Sequence, residues 1–216
     1  MRLNKYISED LKNFNLDEGV ELIKKNCSQY LKESKGKWFY RSIGEYLNDN
    51  SIAYKKIRTD RVPRGMNTAS YKWLNSWLRK NNHVERDKSI SASSDKEQIF
   101  IMFGIPSIIF PENGYKYTWI KAHDINIAEN KGWDDGYIED MDLIEKGDIR
   151  SLFSFRNTPS KDEIDKFKKE FASFFTSNKN MNIAYKNKYE IWFSGKGYYA
   201  IPSSKIDHDS VKKLKI

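Results

Sequence analysis

Four groups of side chains in this sequence could do chemistry, and they lie far apart along the chain. Arg41 ends the aromatic run Trp38-Phe39-Tyr40. Ser89, Ser91 and Ser93 alternate with Ile90 and Ala92. Glu190 stands at the entrance to Ile191-Trp192-Phe193. Arg58, Arg61 and Arg64 crowd one loop with Asp60 and Pro63. A carboxylate on a rigid element beside a cleft can serve as a catalytic acid; at a strand end it can equally be a solvated charge. Arginine forks bind phosphate bidentately. The same loop can instead pair with itself through Asp60, and Arg41 can be a surface charge. On a strand the three serine hydroxyls point to one side. That face is either the polar floor of a site or the wet face of an edge strand.

The elements that must hold these residues follow from the pattern. Residues 16–33 carry Val20, Ile23, Cys27 and Tyr30/Leu31 on one helical face, which assigns Cys27 to packing. Trp38 to Arg41 reads as a buried strand, and Ile52 to Ile57 as another. Asn67 or Thr68 caps a helix over 69–81. Ser94-Asp95-Lys96-Glu97 is a capping box that starts a helix running to Phe103 or Gly104. Ile105 to Pro111 and Tyr115 to Ile120 read as strands joined at Pro111-Glu112-Asn113-Gly114. Residues 123–159 read as a loop-rich insertion. Ser160-Lys161-Asp162-Glu163 is a second capping box, for a helix that carries Ile164, Phe167, Phe171 and Phe174/Phe175 on one face and runs to about Thr176. Residues 177–182 read as a loop, and Ile183-Ala184-Tyr185 as the approach to a hairpin. That hairpin spans 187–201, turning at Ser194-Gly195-Lys196-Gly197. Residues 1–36 read as a helical N-terminal extension and 203–216 as a mobile basic tail.

Composition narrows the class. The chain has 216 residues, one domain's worth, with 38% hydrophobic and 14% aromatic residues. A mixed α+β fold is expected. One cysteine excludes an internal disulfide and a cysteine-rich zinc site. The acidic cluster Glu139-Asp140-Met141-Asp142 lacks the spacing of a calcium loop, and His83, His123 and His208 show no metal-ligand spacing, so no metal is expected. No run of 18 apolar residues occurs, and Met1-Arg2-Leu3-Asn4-Lys5-Tyr6 has no apolar signal core, so a cytoplasmic protein without a membrane partner is expected. The net charge of +8 favours a polyanionic partner.

The order of the pieces resembles the Arg–Ser–Glu arrangement of the toxin-type mono-ADP-ribosyltransferases, including small phage and bacterial members. Phe39-Tyr40-Arg41-Ser42 resembles their first strand motif, and Ser89-Ile90-Ser91-Ala92-Ser93 their serine strand. Tyr189-Glu190-Ile191-Trp192 through Ile201 resembles their glutamate strand and return. The resemblance spans 38–201 and implies antiparallel β-sheets split around a cleft that binds NAD⁺ as substrate. It implies that Glu190 stabilises the oxocarbenium-like state as the nicotinamide–ribose bond breaks, as a glycosidase carboxylate does. It implies that Arg41 offsets the pyrophosphate charge. The serines would hold the glutamate and the nicotinamide ribose, as Ser89 with Ser91 or as Ser91 with Ser93. Arg58 and Arg61 are further candidates for binding NAD⁺. Lys188, Arg64 and Arg86 are candidates for the acceptor.

Two departures bear on the acceptor. Lys188 stands where arginine-modifying members carry Glu or Gln, and Ser42 stands where a glycine is expected. The expected activity is transfer of ADP-ribose to a macromolecule, with RNA or another nucleic acid favoured and protein the alternative. The setting would be a toxin, phage or defence effector with a possible antitoxin partner. A non-enzymatic module that binds nucleic acid through Arg58, Arg61, Arg64 and Arg86 is a further alternative. An RNA-cleaving toxin using Glu190 with an arginine or His83 ranks last.

Overall fold

Two apolar runs set the architecture. Ile108-Ile109-Phe110 and Tyr198-Tyr199-Ala200-Ile201 are buried along their whole length. A strand buried on both faces belongs inside a sheet with a neighbour on each side. The computed structural model describes residues 12–43, 51–61, 68–121, 160–205 and 207–214. Both runs lie in a five-stranded antiparallel sheet. Its order is β1 (Lys12–Asn15), β3 (Ser51–Lys56), β9 (Gly197–Pro202), β5 (Pro106–Pro111) and β2 (Tyr40–Ser42). A second antiparallel sheet has four strands, ordered β4 (Ile90–Ala92), β8 (Ile191–Ser194), β6 (Lys116–Ile120) and β7 (Phe175–Ser177). With the helices below, this is an α+β protein.

The segment 187–201 is not a hairpin. β8 pairs with β4 and β6, whereas β9 pairs with β3 and β5. The turn at Ser194 to Gly197 therefore carries the chain from one sheet to the other. β5 and β6 behave the same way around Glu112-Asn113-Gly114. Each of these strands buries nearly every side chain, so each needs two partners, which a lone hairpin cannot supply. The sheets also touch where two edge strands meet. Tyr40 N–H donates to the Ser93 carbonyl at 2.7 Å, and Ser93 N–H returns the bond at 3.0 Å.

The helix expected over 16–33 is broken at Cys27 into α1 (Leu16–Asn26) and α2 (Ser28–Ser34). The break is tertiary in origin. Asn113 from the β5–β6 turn accepts the Gln29 N–H at 2.9 Å, and its own N–H donates to the Asn26 carbonyl at 2.7 Å. Cys27 is buried and directs its thiol to the Phe110 carbonyl at 3.3 Å. Burial pushes that thiol well above its ordinary range, which suits a packing role. α1 and α2 share one core with the strands of both sheets, so residues 12–36 are woven into the domain. The tail, read as mobile, forms α7 (Asp209–Lys212) with Val211 and Leu214 fully buried. Ser210 ties it to α1 by donating to Asp17 at 2.5 Å.

α3 (Thr68–Lys80) buries Tyr71, Leu74, Trp77 and Leu78, the face its spacing predicts. α4 (Lys96–Phe103) begins after Asp95, whose side chain accepts from Gln98 N–H at 3.2 Å. The cap is thus Asp95 and not Ser94, because Ser94 is drawn away to the Tyr185 carbonyl at 2.6 Å. α5 (Lys161–Ser173) packs Phe171 against Trp77, with ring centroids 4.7 Å apart. The helix ends at Ser173, so Phe175 and Thr176, read as its last turn, join Ser177 in β7, where they pair with β6; the segment read as loop and strand approach then forms α6 (Met181–Lys186). The insertion over 123–159 lies outside the described residues.

Gly197, just past the crossing turn, has no room for a side chain. A Cβ there would stand 2.7 Å from the Lys55 carbonyl oxygen and meet the Tyr54 ring. Gly197→Ala should therefore lower unfolding stability by about 1–3 kcal/mol. Urea unfolding reads this as a fall in the midpoint at unchanged slope.

Candidate functional site

Glu190 is the last residue before β8. Its carbonyl is already in the sheet, accepting from Ile120 N–H at 3.0 Å. Its position on the chain is therefore rigid, and its side chain is 4% exposed. Two donors reach the same oxygen. Ser91 donates its hydroxyl to Glu190 Oε1, and Trp192 donates its indole N–H to it at 2.8 Å. The register explains both. Ser91 sits directly across from Trp192 in the β4–β8 pair, and Glu190 precedes Trp192 by two residues on the same face.

The three serines take different tasks. Ser91 holds the carboxylate. Ser93 donates to the Lys188 carbonyl at 3.3 Å, which steadies the turn leading to Glu190. Ser89 is fully buried and donates to the Arg86 carbonyl at 3.2 Å. The regular strand covers only Ile90–Ala92, so the single hydroxyl face predicted for all three does not form.

β4 is an edge strand, and its outward carbonyls need partners. Arginines supply them. Arg41, on β2, donates from Nη1 to the Ser91 carbonyl at 2.8 Å. Arg61 donates from Nη1 to the Ser89 carbonyl at 2.7 Å. Two guanidinium groups therefore line the same strand edge whose Ser91 hydroxyl grips Glu190. Arg86 joins them, lying over the Trp192 ring at 5.8 Å from its centroid.

This gathering is electrostatically costly. Burial is the main cause that pulls the Arg61 pKa down to about 10, followed by the like charge of Arg41. Tyr71 and Glu190 act in the opposite sense, while Arg86 adds to the repulsion. Arg61 thus gives up stability at neutral pH, and the cost is relieved only as pH rises through about 10. Arg41 Nε is buried with no hydrogen-bond partner among the described residues. Buried donors without a partner are uncommon, and each calls for an explanation. Phosphate oxygens suit a guanidinium cluster in both charge and geometry.

Other candidate residues lie elsewhere. Arg58 pairs with Asp60 at 3.0 Å on the surface, which is the self-paired reading of that loop. Lys188, in a left-handed backbone conformation at φ 57°, pairs with Asp95 at 2.9 Å and so ties the turn before Glu190 to the cap of α4. Arg64 lies outside the described residues. His83 contacts Ser177 at 2.7 Å through Nδ1 and stacks on Trp77, which places it with α3 and β7. No group of three or more metal-ligating side chains gathers among the described residues. None of their helices is long and apolar enough to cross a membrane. Trp192 is the site residue that the sequence reading missed. Trp192 had a signal, its two-residue spacing from Glu190.

Compared with known proteins, the chain matches no family model, no curated protein and no solved structure.

Inorganic pyrophosphate should stabilise the wild-type protein against heat, and Arg61→Gln much less. At one hundred times the dissociation constant the gain is about 2.7 kcal/mol. For a chain of this size that is roughly 2–4 °C of melting temperature per kcal/mol. A wild-type melting curve indifferent to pyrophosphate would count against an anion site here.

Proposed function

We propose that this chain is an NAD⁺-dependent mono-ADP-ribosyltransferase. One observation carries the reading. Arg41, Ser91 and Glu190 come from three distant segments and meet at a single residue, with the Ser91 hydroxyl on Glu190 and the Ser91 carbonyl on Arg41. The two sheets that present them come together at the Tyr40–Ser93 bridge. This is the constellation that the three sequence motifs imply for that family.

NAD⁺ supplies the ADP-ribosyl group and nicotinamide as its leaving group. Arg41 and Arg61 would hold the pyrophosphate, and Arg41 Nε, which has no partner among the described residues, fits that task. Glu190, held still by two donors, would face the positive charge that builds on the ribose as the bond to nicotinamide breaks. The acceptor nucleophile then bonds to the ribose carbon that nicotinamide has left, and its proton passes to solvent water. Ser93 and the Lys188–Asp95 pair keep the Glu190 turn in place.

A nucleic-acid acceptor, RNA foremost, is the favoured form of the proposal. The charge of +8 and Arg86 beside an aromatic ring suit a polyanion that stacks. A protein acceptor is the alternative within the same chemistry. The role would be that of a toxin, phage or anti-phage effector acting in the cytoplasm and held in check by a partner protein. A second reading, a binding module without catalysis, draws on the same arginine cluster. It predicts salt-dependent nucleic-acid binding that survives loss of Glu190.

Labelled NAD⁺ incubated with total RNA or total protein separates these readings. Label should enter one pool with wild-type protein and fall by roughly 10²–10³-fold with Glu190→Gln, while NAD⁺ affinity changes little. Arg41→Lys should instead weaken NAD⁺ binding about tenfold, since a lysine cannot form the bidentate fork. Transfer that persists in Glu190→Gln would sink the assignment.

A further inference from the structure

We propose that Trp192 is a positioning residue for Glu190 and that its indole N–H, with the Ser91 hydroxyl, sets the working orientation of the carboxylate. The inference rests on the functional reading above and extends it to a residue outside the three motifs. The indole nitrogen is a donor only, so once buried it must find an acceptor. Trp192 is fully buried and finds one in Glu190 Oε1 at 2.8 Å.

The ring itself is fixed. It lies across from Ser91 in the β4–β8 register, under the Arg86 guanidinium at 5.8 Å and against Phe175 at 6.2 Å. The terminal torsion of a glutamate is intrinsically broad, because an sp³–sp² bond has shallow wells. Two donors on one oxygen remove that freedom, one from a hydroxyl that can itself rotate and one from a ring that cannot. The rigid donor is the one that defines direction. It comes from the same strand as the carboxylate, so sheet geometry alone keeps the pair aligned. Phenylalanine at 192 would keep most of the apolar contact and lose only the N–H.

The test has a spectroscopic arm and a kinetic arm, both on the full chain. With ¹⁵N-tryptophan labelling the six tryptophans give six indole N–H signals, and W192F identifies the one from Trp192. That signal should sit downfield, exchange slowly and move in E190Q, because a neutral amide oxygen accepts more weakly than a carboxylate. The other indole signals should stay in place. The E190Q spectrum reads the contact even where W192F folds poorly. In the kinetic arm W192F should lose roughly 10–100-fold in kcat with KM for NAD⁺ within about threefold, the split expected when only the carboxylate's aim has changed. No indole signal moving in E190Q, or an unchanged kcat in a folded W192F, would overturn the proposal. A wild-type chain that shows the indole response and releases no nicotinamide overturns the functional reading and, with it, the role of Trp192 in transfer.

Discussion

The hydrogen bond from Arg41 to the Ser91 carbonyl closes the gap between two sheets. β2 and β4 are each the last strand of their sheet, so each presents backbone groups that no further strand satisfies. A single bridge between Tyr40 and Ser93 joins them at one end. On the β4 edge, guanidinium groups take the place of a further strand. Arg41 meets the carbonyl of Ser91, and Arg61 meets that of Ser89. An edge that would otherwise invite pairing with another chain is thus capped by side chains. The cap places positive charge along the β4 edge. The Ser91 hydroxyl reaches Glu190 from the same residue.

The electrostatics follow from that arrangement. Three guanidinium groups share a neighbourhood with one carboxylate, and burial with mutual repulsion makes the charged form of Arg61 harder to keep. The protein accepts this strain at a site and recovers stability elsewhere. The aromatic core is the place of recovery. Tyr30, Phe39, Phe110 and Phe193 pack edge-on at centroid separations near 6 Å, inside a cluster that includes both sheets, α1 and the buried end of the tail. Polar contacts then set the fine geometry. Lys188–Asp95 and Ser93 clamp the turn, while Trp192 and Ser91 clamp the carboxylate at its end.

Local chemistry made several elements legible in advance. α3 lies where apolar spacing places it, and so does α5 as far as Ser173, with Phe171 fully buried; Phe175, read as part of that helix, lies in β7. β5, β6, β8 and β9 occupy the apolar runs read as strands. Their partners were not legible. A run of buried residues says that a strand has neighbours on both sides, and a glycine-rich turn says that the chain reverses, but neither says that the two arms enter different sheets. The unbroken helix expected over 16–33 failed for a related reason. Its interruption at Cys27 is made by Asn113, some eighty residues away in sequence. Short elements such as β7 and α6 carry too few residues to show a period at all.

The sequence by itself determined the residue types available for chemistry, the mixed α+β class and the excess of positive charge. It also pointed to Glu190, Arg41 and the serine strand, because their order along the chain is a one-dimensional property. Only the tertiary structure decided which serine grips the glutamate, since Ser91 and Ser93 find partners almost a hundred residues away while Ser89 turns to the nearby Arg86 carbonyl. It drew Arg61 and Arg86 to the site and left Arg58 paired with Asp60 on the surface. It made Lys188 a strut to Asp95. The physical reason is common to all of these. A side chain's role is set by what meets it across a sheet edge, and the pairing of edges belongs to the folded chain as a whole.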